Sequence, residues 1–122
     1  MQYMLLIYDD EQVWQKLPED ERNSLYAAYG AFTNEVREKG ALVTADQLQP
    51  TAAATTVRIR DGKEVVTDGP FAETKEQLGG YYLIDVESVD EALEWAAKIP
   101  SARYGTIEVR PLVQMPVESQ AG

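Results

Sequence analysis

Six consecutive apolar residues, Tyr3-Met4-Leu5-Leu6-Ile7-Tyr8, stand near the start of the chain and are closed by Asp9-Asp10. A short uninterrupted run of this kind predicts a strand buried on both faces, with Met4 and Leu6 on one side and Leu5 and Ile7 on the other. After Pro18 the period changes. Leu25, Tyr29, Phe32 and Val36 recur at helical spacing and form one stripe for packing on a sheet, so a helix is predicted from Pro18 to Lys39. Pro18 suits the first turn, and Glu19, Asp20 and Glu21 lie where the helix dipole favours acids. Lys39-Gly40 supplies the terminal cation and cap. A strand over 42–48 follows. Thr55 to Arg60 alternates, with Val57 and Ile59 facing away from Arg58 and Arg60. Asp61-Gly62 is a two-residue hairpin turn that returns the chain through Glu64-Val65-Val66-Thr67.

Tyr81 to Val86 predicts another central strand, with Tyr82 and Ile84 opposite Tyr81 and Leu83. Ser88 with Glu91 forms a capping box for a second helix whose inner face is Val89, Leu93, Ala96 and Ala97, and Pro100 ends it. Thr106 to Leu112 is the last strand. The order is β-α-β, a hairpin, then β-α-β, and right-handed crossovers put both helices on one face of an antiparallel sheet. The fold class is therefore α+β, with a single domain over 1–114 and a loose tail over 115–122. Two helices cover only one sheet face, while the central strands are apolar on both. A bare apolar face is larger than soluble monomers usually tolerate, so a homodimer with its two sheets face to face is expected.

Composition narrows the chemistry. The chain has 122 residues with neither cysteine nor histidine. That excludes disulfides, thiolate nucleophiles, the usual neutral-pH base and the commonest metal ligand. With 11 basic and 21 acidic residues the net charge is −10, which repels nucleic acid; solubility accounts for it, and a basic protein partner is the sharper reading. No run approaches the length of a membrane span, and the N-terminus reads as a strand rather than a signal peptide, so a cytoplasmic location is expected. Phosphate-cradling glycine motifs and a Ser-His-Asp arrangement are both missing, and neither a cofactor nor a metal site is expected.

The stretch with the least routine composition is Asp68-Gly69-Pro70-Phe71. Asp, Gly and Pro form turns, and a turn between strands accounts for them. Yet the usual Asx turn fails here, because the residue two positions after Asp68 is Pro70, which has no N–H. Asp68 must then cap Phe71 or a later amide, or point into a cleft. Gly79-Gly80 allows close backbone approach or a bulge at the start of a strand. Asp9, Asp10 and Glu11 read as a solvated turn, and Arg58 and Arg60 as an exposed hairpin face.

The whole segment Asp68-Gly69-Pro70-Phe71-Ala72-Glu73-Thr74-Lys75-Glu76-Gln77-Leu78-Gly79-Gly80-Tyr81-Tyr82 resembles the signature of the DGPF subgroup of YCII-related proteins. The resemblance runs from Tyr3-Met4-Leu5-Leu6-Ile7-Tyr8 to Glu108-Val109-Arg110-Pro111. It implies a ferredoxin-like fold that dimerises as an α+β barrel. It also implies an enzyme-like cleft with a His–Asp pair, and an association with extracytoplasmic-function sigma factors. The histidine is missing from this chain, and its place falls near Tyr29.

The expected function is binding of a small organic molecule near the Asp68 loop, with Tyr29, Phe71, Lys75 and Tyr82 as ligand contacts. The alternatives are a cofactor-free enzyme using Asp68 as acid or base, and an accessory partner of a sigma factor.

Overall fold

The computed structural model of the chain describes residues 1–115, so the tail from Pro116 lies outside the described residues. Strand β1 spans Gln2–Asp9, β2 Leu42–Gln47, β3 Thr55–Arg60, β4 Lys63–Asp68, β5 Gln77–Asp85 and β6 Thr106–Pro111. The helices are α1 Glu11–Lys16, α2 Glu19–Glu38 and α3 Val89–Lys98. Four strands form one antiparallel sheet in the order β2-β5-β1-β6, consistent with a ferredoxin-like fold, and β3 and β4 pair separately.

One sheet face carries the core. Tyr3, Leu5 and Ile7 of β1 and Tyr82 and Ile84 of β5 are buried against Phe32 and Val36 of α2 and Ala92, Trp95 and Ala96 of α3. Phe32 organises this contact, meeting Tyr82 edge-on at 5.0 Å and Trp95 at 6.2 Å between ring centroids. Among the described residues no helix covers the other face, on which Met4, Leu6, Tyr81 and Leu83 are half-buried.

Several expectations are refined. The acidic segment around Trp14 is a helix: Asp10 caps it by accepting the Gln12 N–H, and Arg22 donates to the carbonyls of Gln15 and Leu17 at its far end. Strand β5 begins at Gln77, four residues before the apolar run that signals it. Ser88 caps α3 as expected, but the Glu91 carboxylate reaches back to the Glu87 N–H. The inner face of α3 is corrected. Ala96 faces the sheet as expected, but Val89, Leu93 and Ala97 are exposed and Ala92 and Trp95 turn inward instead, because the indole of Trp95 brings far more apolar area inward.

Strands β3 and β4 form an arm that leaves the body. Asp61 and Gly62 take positive φ values of 52° and 75°, the backbone of a tight hairpin turn. Every residue of β4 is exposed, and the hydrogen bonds at the root, Gly69 N–H to Ala54 O and Thr56 Oγ1 to Gly69 O, stay within the arm.

Candidate functional site

The parity of β1 carries past its apolar run. Tyr3, Leu5 and Ile7 point inward, and so does Asp9, which ends the strand beneath α2. There it lines a cavity of about 570 Å3 between α2, the ends of β1 and β5, and the segment that follows β2. Tyr29, Thr33, Tyr82 and Ser101 share its wall.

These side chains form two short relays. Ser101, buried in the 3₁₀ turn Pro100–Arg103, stands between the Tyr29 hydroxyl, with which it hydrogen-bonds, and Asp9 Oδ2 at 3.4 Å. A carboxylate has no proton to give, so Ser101 donates to Asp9 and Tyr29 donates to Ser101. Thr33 Oγ1 donates to the Tyr29 carbonyl at 2.8 Å, so the 2.6 Å contact between Thr33 and Tyr82 runs from the Tyr82 hydroxyl to Thr33.

Burial sets the protonation of the wall. It pushes the Tyr29 hydroxyl up to about 12, opposed by the Ser101 hydrogen bond and helped by the nearby Asp9. Burial also raises the Asp9 carboxyl above the ordinary carboxylate range; the Ser101 hydrogen bond pulls it back, and repulsion from Glu76, Glu11 and Asp10 adds to the rise. Tyr82 is raised by burial as well. At neutral pH the tyrosines are therefore hydrogen-bonding hydroxyls and not bases.

The mouth is held by a second set of contacts. The Glu11 carboxylate accepts from the Thr51 N–H at 3.1 Å and from the Thr51 hydroxyl, and the Glu11 N–H donates to Gln77 Oε1 at 3.0 Å. These bonds tie α1 to the start of β5 and to the turn that precedes β3. The paired glycines do both things open to them. Gly79 is the extra residue of a bulge between the Ile7–Gly80 and Tyr8–Leu78 pairs. A Cβ on Gly80 would stand 2.9 Å from the Asp46 carbonyl oxygen, so β2 approaches only because that position has no side chain.

The residues singled out in the sequence therefore separate. Tyr29 and Tyr82 line the cavity; Asp68, Phe71 and Lys75 do not. Asp68 closes β4 in the exposed arm, and its carboxylate has no hydrogen-bond partner among the described residues, so of the two alternatives a cap on Phe71 or a later amide is not seen. Phe71 is 79% exposed. Asp9 and Ser101 were not expected at the site. The inward parity of β1 carries the signal for Asp9, whereas nothing near Ser101 announces its role.

A second hollow, of about 960 Å3, lies between α1, α2 and the end of α3, where Asp10, Glu21 and Glu35 stand among Lys98 and Arg103. It shares Asp9 and Trp14 with the inner cavity but draws no comparable set of hydroxyls together. Among the described residues, no helix is long and apolar enough to cross a membrane and no group of three carboxylates is placed to hold a metal ion.

The pattern of the YCII-related domain matches residues 1–116. The chain belongs to the YCII-related family. An uncharacterized protein of Rhizobium meliloti (strain 1021) is 44% identical over 114 residues, which cover 92% of each chain. This YCII-related chain thus places tyrosine, serine and aspartate side by side in its cavity wall without any histidine.

Proposed function

We propose that this YCII-related protein, a member of the DGPF subgroup, binds a small organic molecule in the cavity walled by Asp9, Tyr29, Tyr82 and Ser101, and that it works as a homodimer packed through the open sheet face. One observation carries the binding reading: a carboxylate and four hydroxyl groups converge on one cavity at the edge of an apolar core. Burying polar groups there is costly, and a volume of several hundred Å3 with a few convergent polar groups is the usual form of a small-molecule site. The Asp68-Gly69-Pro70-Phe71 stretch supports the subgroup. It stands off the cavity, so any proton transfer in the bound state falls to Asp9 and not to Asp68. No cofactor is part of the reading.

Thermal melts of the parent, Ala45→Phe and Asp68→Asn against a panel of small organic molecules test the proposal. Ala45 lines the cavity from β2, and a phenyl ring there occupies the space. A ligand at a hundredfold excess over its Kd stabilises the native state by about 2.7 kcal/mol. The expected result is a shift kept by Asp68→Asn and lost by Ala45→Phe. The reverse pattern returns the site to the Asp68 loop.

A further inference from the structure

The sign and hydrogen-bonding polarity of the cavity wall are both one-sided. Asp9 and Glu11 line it with carboxylates, and among the described residues no lysine or arginine lines it. Carboxylates alone define no ligand, but the hydroxyls around them are also committed. The protons of Thr33, Tyr82, Tyr29 and Ser101 all go to protein acceptors, in the two relays above. What these oxygens have left for a guest is lone pairs, so the wall offers acceptors and needs a donor.

The remaining walls are aromatic. Trp14 and Tyr26 meet edge to face at 5.3 Å, and Tyr29 and Tyr82 line the cavity with them. Aromatic faces attract cations through the ring quadrupole, most strongly where water is displaced. The neutral donors at the rim, the side-chain amides of Gln47 and Gln49 and the Trp14 indole, add no positive charge.

We infer that the ligand of this cavity is a small organic cation, a protonated amine carried on an apolar or aromatic body. The inference rests on the binding reading above. The ammonium supplies three donors and no acceptor, matching Asp9 and the free lone pairs of Tyr82 and Tyr29, while the body lies against Trp14 and Tyr26. An anionic ligand would meet the Asp9 and Glu11 carboxylates with no lysine or arginine in the described wall to offset them.

Three probes sharing one ring and differing in charge test this by calorimetric titration: 2-phenylethylamine, 2-phenylethanol and 3-phenylpropanoate. Each is titrated into the parent, Asp9→Asn and Tyr82→Phe. The amine should bind the parent at least tenfold more tightly than the other two, and Asp9→Asn should remove that preference. Tyr82→Phe keeps the ring and the packing while deleting one acceptor, so it should weaken the amine selectively even if Asp9→Asn folds poorly. Equal or tighter binding of the alcohol or the carboxylate overturns the cation inference and leaves the cavity standing as a binding site. Amine binding that neither variant changes overturns it too, by placing the ammonium elsewhere. If none of the three binds the parent, the inference and the binding reading fall together.

Discussion

Asp9 and Ser101 show how a site hides in a sequence. The Asp9-Asp10-Glu11 cluster looks like a solvated turn because acids after an apolar strand usually are one. In the fold the three neighbours part: Asp9 keeps the inward parity of β1, Asp10 caps α1, and Glu11 holds Thr51. Asp9 also carries a consequence for stability. Its carboxyl is raised from the ordinary 3.8, chiefly by burial, so the folded chain holds that proton more tightly than the unfolded chain does. Stability then falls as pH rises from 3.8 through the raised folded value, because over that window the native state binds more protons. Asp9→Asn removes the effect while its amide oxygen still accepts from Ser101. The variant should melt above the parent at pH 7, and the gap should close as the pH is lowered toward 4. A variant that melts below the parent at pH 7 would mean that the carboxylate is held more favourably than its burial indicates. Higher stability together with lost ligand binding is the usual signature of a functional residue kept at a cost to the fold.

Elements were legible where one force dominates. The β1 run, the α2 stripe and the Asp61-Gly62 turn each have a single interpretation, and each forms as read. Helix α3 has two. Apolar residues at 89, 92, 93, 95, 96 and 97 fit either of two faces, and spacing does not weigh an indole against a leucine. The junction before β6 gave no signal at all, although it is tightly built. A Cβ on Gly105 would stand 2.3 Å from the Tyr8 carbonyl oxygen and 3.2 Å from that of Ser101, backbone atoms that cannot turn aside. Gly105→Ala should therefore lose about 2–3 kcal/mol, at the upper end of the usual cost of overpacking, as read from the urea midpoint. Because the strain falls between β1 and the turn bearing Ser101, ligand binding should weaken with it. An alanine variant as stable as the parent would show that the 3₁₀ turn can move. The arm is the opposite case. With its hydrogen bonds internal and its root closed by Gly69 and Ala54, replacing residues 55–68 with a two-residue Gly-Ser link should leave the melting of the monomeric body nearly unchanged.

The open sheet face sets apolar burial against net charge. Among the described residues, Met4, Leu6, Tyr81 and Leu83 have no layer above them, and each protomer of a pair would also carry a net charge of −10. Apolar burial and charge repulsion thus oppose each other in any self-association, and salt separates them. Screening shortens the reach of the repulsion to roughly 8 Å at 0.15 M and leaves apolar contact intact. Light scattering on a sizing column should give about twice the 13.6 kDa chain mass, with association tightening as salt is raised from 0.02 to 0.5 M. Leu6→Glu places a carboxylate at the centre of that face, beside Glu108 on β6, and should yield monomers whose helix content and cavity ligand are retained. A parent that stays monomeric at all salt concentrations would leave the apolar face to a different protein. Dissociation on adding salt would mean that ion pairs hold the pair together, and three of the eleven basic residues, Arg58, Arg60 and Lys63, stand on the exposed arm where they could reach an acidic neighbour. The two outcomes assign the assembly to different elements, the sheet or the arm, and the double variant Arg58→Ala/Arg60→Ala distinguishes them by dissociating only the second kind of dimer.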